Sequence, residues 1–218
     1  LDPLFYGRLA GRFALDSNCS VVVTLSQVRL FARNTCTNQL QGLSRLSGLV
    51  WTGGDTVLFR SPTDEYRFLT DASSGAVTAA IEIARDDAIV VAIRDDASNR
   101  RSVNFLTADG VSMGGDLYIP VNNPSGLATV FVHGSGPQDR NGYASIIAIT
   151  AEELAAQGNT VLTFDKRGVG ESGGDWSVMG FESLAADAIS AMAWLEEYLG
   201  GDVAVGLAGS SQAGWVVA

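Results

Sequence analysis

Residues 203–218 read VAVGLAGSSQAGWVVA, and they hold the side chain best placed to act as a nucleophile. The apolar run Val203–Ala208 suits a parallel strand buried on both faces. Gly209 and Ser210 follow, then Ser211, then Gln212-Ala213-Gly214 and an apolar segment able to open a helix. A serine at so tight a strand-to-helix turn has its hydroxyl pushed clear of the sheet, and its neighbours must be small. The free N–H groups at the start of the following helix point at the same spot, where negative charge can develop. The pattern predicts a serine nucleophile in this turn, with Ser211 and Ser210 the candidates.

A second stretch supplies the complement. His133-Gly134-Ser135-Gly136-Pro137-Gln138-Asp139-Arg140 follows the strand-like Ala128–Val132. Its glycines let backbone approach a ligand closely, and a carbonyl under attack needs N–H donors aimed in advance. Together, GSSQAGW and HGSGPQDR resemble the nucleophile elbow and oxyanion loop of α/β-hydrolases, in particular bacterial carboxylesterases. One departure is visible: G-x-S-x-G would put glycine at 213, where this chain has Ala213 with Gly214 one place later.

The resemblance implies that Ser211, at the family's spacing from Gly209, is the nucleophile, with Ser210 the lesser candidate. It gives the oxyanion to the backbone N–H groups of Gln212 and Ser135, with Gly136 the other possible donor and Gly134 part of the same loop. Losing one such donor typically costs about 3–4 kcal/mol of transition-state stabilisation. His133 is the only histidine. In the family its position supports the oxyanion loop, so a buried structural role is expected for it. The family places its acid and its base after the elbow. The triad acid and histidine are therefore expected outside this sequence, and a second chain or segment is expected to complete the hydrolase domain. The implied activity is hydrolysis of small carboxylic esters with short acyl chains, through an acyl-enzyme on Ser211 and without cofactor or metal. The alternatives are a serine peptidase or amidase of the aminopeptidase-like kind, or a non-catalytic binding protein that kept the fold.

A third stretch, Asp165-Lys166-Arg167-Gly168-Val169-Gly170-Glu171-Ser172-Gly173-Gly174, carries two misleading patterns. Residues 170–174 match G-x-S-x-G to the letter, but Ser172 lies well past its strand with no helix until about Phe181. Residues 168–173 match G-x-G-x-x-G, yet a dinucleotide site requires a helix opening on the glycines. The segment instead resembles the family's D-x-R-G-x-G-x-S loop, a structural loop near the site. Lys166 is the only lysine, which reads as genome composition or surface adaptation.

The elements that must position these loops divide at about residue 98. Before it the chain reads all-β: Leu4–Leu15, Ser20–Thr24, Val28–Ala32, Gly48–Trp51, Thr56–Arg60, Tyr66–Thr70, Val77–Ile83 and Ala88–Ile93. The turn signals between them are Gly53-Gly54-Asp55, Ser61-Pro62, Ser73-Ser74-Gly75 and Asp86-Asp87. A small β-sandwich or open barrel with an accessory role is expected over 1–98, with Trp51 and Tyr66 in its core. The polar run Arg94–Arg101 marks the boundary. From 99 to 218 the first half of an α/β-hydrolase domain is expected. Ser102–Leu106 and Val111–Ile119 form a hairpin about Asp109-Gly110. Ala128–Val132, Thr160–Phe164 and Val203–Ala208 alternate with helices Tyr143–Gln157, stopped by Gly158, and Phe181–Leu199. Repeated βα units predict a mostly parallel sheet, with ligands at the C-terminal ends of its strands.

Composition narrows the partners. With 14 basic and 24 acidic residues the net charge is −10, which argues against nucleic acid or an anionic membrane as partner. No apolar run reaches the eighteen or so residues of a membrane span. Cys19 and Cys36 flank two strand-like segments centred on Gln27 and Val28, so a hairpin would bring them opposite each other. A disulfide there predicts an extracytoplasmic location. Two cysteines and one histidine make no convincing metal site.

Overall fold

The computed structural model describes residues 6, 8–26, 29–55, 64–70, 78–95, 97–201 and 203–218. The strand expected at Thr56–Arg60 lies outside the described residues. So do the residues at Gln27 and Val28 and the turn signals Ser61-Pro62 and Ser73-Ser74-Gly75. The chain divides into two compact units, Leu1–Asp96 and Ala97–Ala218.

The first unit is a closed antiparallel barrel: β1 (Gly11–Ala14), β2 (Ser20–Ser26), β3 (Arg29–Asn34), β4 (Leu40–Ser47), β5 (Val50–Asp55), β6 (Asp64–Thr70), β7 (Thr78–Arg85) and β8 (Ala88–Arg94). Each strand pairs with the next, and β8 returns to β1 through Phe13↔Arg94 and Ala14↔Ile93. Closure, where a sandwich or open barrel was expected, removes the exposed edges that an open sheet must protect. The interior is filled by Phe13, Val23, Leu30, Leu43, Phe68 and Ile81. Trp51 is buried there too, edge-on to Tyr6 at 5.3 Å and to Phe68 at 6.3 Å.

Gly53-Gly54-Asp55 is strand, not turn. A Cβ on Gly53 would stand 2.1 Å from Gln41 Oε1 and 2.6 Å from Tyr66 Cε2, so this glycine answers a close approach across the barrel. Asp86-Asp87 does turn, with Asp86 at φ 52°. At that mouth a cavity of about 790 Å³ opens beside a buried polar ring. Tyr66 OH donates to Gln41 Oε1 (2.6 Å), while Gln41 Nε2 (2.6 Å) and Arg85 Nη2 (2.7 Å) donate to Asp64 Oδ2. Burial pushes the Tyr66 hydroxyl pKa up. Cys19 and Cys36 form a disulfide, their Cα atoms 5.4 Å apart. They continue the β2–β3 register beyond Val21↔Asn34.

The second unit holds one five-stranded sheet of β9 (Ser98–Leu106), β10 (Ser112–Pro120), β11 (Leu127–Val132), β12 (Thr160–Phe164) and β13 (Ala204–Gly209), in the order β13-β11-β12-β10-β9. The sheet is mixed, so the expectation of a mostly parallel one holds in part. β11 runs parallel to β12 and β13, whereas β10 is antiparallel to β9 and to β12. Parallel neighbours need a crossover of a dozen or more residues. Only the β11–β12 and β12–β13 connections carry one, through α1 (Ile146–Ala156) and α2 (Phe181–Leu199).

Successive strand residues point to opposite faces. Leu162 packs with Leu117, Val130, Ala191 and Leu195 toward α2, while Val161 packs with Tyr118, Ala151 and Ala155 toward α1. The helices therefore cover opposite faces. α1 begins later than its periodicity suggests, because Ala144 and Ser145 take φ of 50° and 60° and form a separate tight turn with Tyr143. β13 is half-exposed rather than buried on both faces, since it lies at the end of the described sheet. A short helix, α3 (Ala213–Val216), follows it, with Ala213 and Val216 packed on Val132 and Ala188.

Candidate active site

Ser211 stands in the turn between β13 and α3 with φ at 59°, a left-handed conformation that costs a non-glycine residue of order 1–3 kcal/mol. It is exposed, and among the described residues no side chain hydrogen-bonds its Oγ. A strained serine lifted off a strand end is what a nucleophile elbow requires.

The local sequence shows how the turn is accommodated. A Cβ on Gly209 would lie 2.4 Å from Ala213 Cβ and 2.8 Å from Val132 O. The bare Cα of Gly209 thus makes room for the methyl of Ala213, so Ala213 can stand where the family pattern has glycine. Gly214 has open space around its Cβ position and plays no steric part.

The loop of residues 133–140 lies beside this turn. A Cβ on Gly134 would be 3.5 Å from Ser211 Cβ and 3.5 Å from Ser210 O. The structure thus brings Gly134, Ser210 and Ser211 together. Among the described residues the N–H groups of Ser135, Gly136 and Gln212 make no hydrogen bond, which leaves all three as free donors. The loop is closed by Gln138, whose Nε2 donates to Ser135 O at 2.8 Å.

Lys166 is not a surface residue. It is buried, and its ammonium donates to Gly134 O (2.6 Å), Gly136 O (2.8 Å) and, at the long limit, Gln212 Oε1 (3.5 Å). Burial draws its pKa below the ordinary lysine value. A lone lysine straight after a buried strand is the available signal in the sequence, but its partners lie some thirty to forty-six positions away.

His133 is buried, and its Nε2 meets the Phe164 carbonyl oxygen, so Nε2 carries the proton in this contact. Its ring sits edge-on to Phe164 at 4.6 Å. Burial, first of all, pushes its pKa down to about 4. The imidazole is thus held neutral, with Nε2 committed to the Phe164 carbonyl.

Charged pairs fix the surrounding loops, and the sequence reading did not foresee them. Arg140, at the end of the 133–140 loop, clasps Asp165 through Nε to Oδ1 (3.0 Å) and Nη2 to Oδ2 (2.6 Å), and Nη1 reaches Asp116 at 3.1 Å. Burial disfavours the charge of Asp116, yet Arg100 and Arg140 hold its carboxyl below the usual range. Arg167 clasps Asp187 on α2 at 2.7 and 2.9 Å, and Asp109 in the β9–β10 turn at 2.8 Å. Ser172 is spent structurally: its hydroxyl donates to Asp165 O (2.8 Å) and accepts from Gly114 N (3.0 Å). Among the described residues no group of three or more His, Cys, Asp and Glu side chains could hold a metal ion, and no helix is long and apolar enough to cross a membrane.

The sequence model of one protein family, described as X-Pro dipeptidyl-peptidase (S15 family), matches residues 109–218. The chain belongs to the S15 family. That match covers the Asp109 turn, all three loops and Ser211.

Solved structures with similar folds include an esterase of Pyrococcus furiosus (23% identity, TM-score 0.45, covering 55% of this chain and 44% of that one). Others are an α/β serine hydrolase homologue from Coxiella burnetii (16%, TM-score 0.46, 54% and 54%) and an α/β serine hydrolase without lid from Xanthomonas campestris (19%, TM-score 0.46, 54% and 53%). The S15 chain thus spans about half the length of these proteins or less. No curated protein matches it.

Proposed function

We propose that Ser211 is the nucleophile of an acyl hydrolase. Its Oγ attacks the carbonyl carbon of a carboxylic ester while a general base takes the hydroxyl proton. The oxyanion is held by the N–H groups of Gln212 and Ser135. The base returns the proton to the leaving alkoxide as the C–O bond breaks, and water then cleaves the acyl-enzyme to acid and free serine. The observation that carries this reading is the left-handed, exposed Ser211 against a glycine loop with unpaired N–H groups.

The base and its orienting acid are assigned to a further segment or second chain that completes the domain, because the one histidine here is committed to Phe164 O. The substrate class is a small ester with a short acyl chain. A second reading is amide cleavage after an X-Pro dipeptide, favoured by the description of the S15 family. The Cys19–Cys36 disulfide supports placement outside the cytoplasm.

The test compares hydrolysis of p-nitrophenyl acetate and of Ala-Pro-p-nitroanilide by the full-length protein and its Ser211→Ala variant. Loss of ester turnover by about 10⁴-fold or more with unchanged folding is expected. Preference for the anilide would move the assignment to the peptidase. Turnover indifferent to Ser211→Ala would refute both, and a fold that only binds these compounds would remain.

A further inference from the structure

The oxyanion loop poses a physical problem. Gly134 and Gly136 flank Ser135, and glycine permits either orientation of the intervening peptide. A donor that can rotate away is not preorganised, and preorganisation is what makes such donors effective. Something must therefore fix the plane of the Gly134–Ser135 peptide.

The groups around Lys166 meet that need. Its ammonium reaches the Gly134 carbonyl oxygen at 2.6 Å. The described peptide bonds are all trans, and in a trans peptide the C=O and the next residue's N–H point in opposite directions. Anchoring Gly134 O on the ammonium therefore turns the Ser135 N–H away from Lys166, where it has no competing acceptor among the described residues. The second anchor, Gly136 O at 2.8 Å, belongs to the peptide preceding Pro137, which has no N–H to aim. Its effect is to pin the far side of Ser135. The third, Gln212 Oε1 at 3.5 Å, ties the same ammonium to the residue after the nucleophile, the other expected donor.

The lysine is itself held. Its backbone N–H donates to Gln138 O (3.1 Å), Trp176 lies across the ammonium with its ring centre 5.9 Å away, and the flanking Asp165 and Arg167 are clasped by Arg140 and Asp187. An ammonium whose neighbours are three carbonyl oxygens acts as a donor, not as a base.

We propose that Lys166 is a positioning residue of the oxyanion hole: by holding the Gly134 and Gly136 carbonyls it fixes the Ser135 N–H in its donating orientation. This rests on the assignment of Ser211 as nucleophile. It predicts that Lys166 affects the chemical step far more than substrate binding, and that it does so through Ser135.

The experiment uses the full-length protein and p-nitrophenyl acetate. Lys166→Met should lower kcat about 100-fold, the typical effect of one lost donor, with KM within about threefold. Ser135→Pro, which deletes the N–H, should give a loss of similar size. The double variant should fall no more than about threefold below the worse single variant, since coupled residues are non-additive. If Ser135→Pro fails to unfold cooperatively in urea, the kcat-against-KM split of Lys166→Met decides alone.

A Lys166→Met enzyme with near-normal kcat overturns the proposal. So do losses that multiply to about 10⁴-fold in the double variant, or a Lys166→Met protein that does not fold, which would make the lysine merely structural. Ser211→Ala separates the two levels. Turnover that survives it sinks the nucleophile assignment and this proposal together, whereas turnover abolished by Ser211→Ala but insensitive to Lys166→Met sinks only the proposal.

Discussion

The two units solve the same task, holding loops still at strand ends, by opposite means. In the barrel, two of the described turns are pinned by their own polar side chains. Asp16 Oδ1 accepts from the N–H groups of Asn18 and Cys19, and Asn34 Oδ1 from those of Cys36 and Thr37. Among the described residues its one buried charged side chain is Asp64. In the sheet unit, Asp116, Arg140, Asp165, Lys166, Arg167 and Asp187 are all buried, and they join loops that are distant in sequence. The barrel is therefore packed by apolar side chains, whereas the loops around Ser211 are clamped by ions. Buried pairs are a poor source of net stability but are strongly destabilising when broken. Their use here suits loops whose geometry must be unique.

That contrast can be broken most forcefully at Asp187. Replacing it by leucine leaves the buried Arg167 guanidinium with only the exposed Asp109, and a loss of about 3–5 kcal/mol is expected. Hydrogen exchange read strand by strand should show β10 to β12 losing protection while β2 to β4 keep theirs. Equal loss in both units would end the distinction.

Acid should also separate the units. The folded pKa of His133 is lowered to about 4, against an unfolded value of about 6.5. Above that value both states are neutral and nothing changes. As pH falls below it, the unfolded chain takes up a proton that the folded one refuses, so stability is lost, by about 3 kcal/mol at pH 4. Urea unfolding of the wild type and of His133→Gln between pH 7 and pH 4 should converge in stability as pH falls, since the variant lacks this loss.

The smallest effect sharpens the picture of the barrel. Gly53→Ala would place a methyl against Gln41 and Tyr66 and should cost about 1–3 kcal/mol. Gly214→Ala, with open space at its Cβ position, should change stability by less than about 0.5 kcal/mol. Thermal unfolding of the two variants side by side checks both.

The same contrast explains what could be read from the amino-acid order. The Ser211 turn was legible because its requirements are local: an apolar strand, small residues, then a helix. The Phe181–Leu199 helix was legible for the same reason, with Gly180 before it and Gly200 at φ 83° after it. Gly53 misled because a close cross-strand approach and a turn both select glycine, and the partner Gln41 is twelve positions away. The sheet was legible only in part, because β12 inserts between β10 and β11, a pairing that no window of sequence contains. Lys166 was misread on similar grounds: its meaning lies in Gly134, Gly136 and Gln212, not in its neighbours along the chain.

The closure of the barrel also bears on how the molecule is made. Its last ladder, Phe13↔Arg94 and Ala14↔Ile93, joins the first strand to the eighth. Contacts of such long sequence separation slow folding, because the chain must be brought together before they form. During synthesis, β1 therefore has no partner on that side before β8 has been made. An edge strand that lacks its closing partner is a template for pairing with another chain, so closure by β8 also removes a route to aggregation.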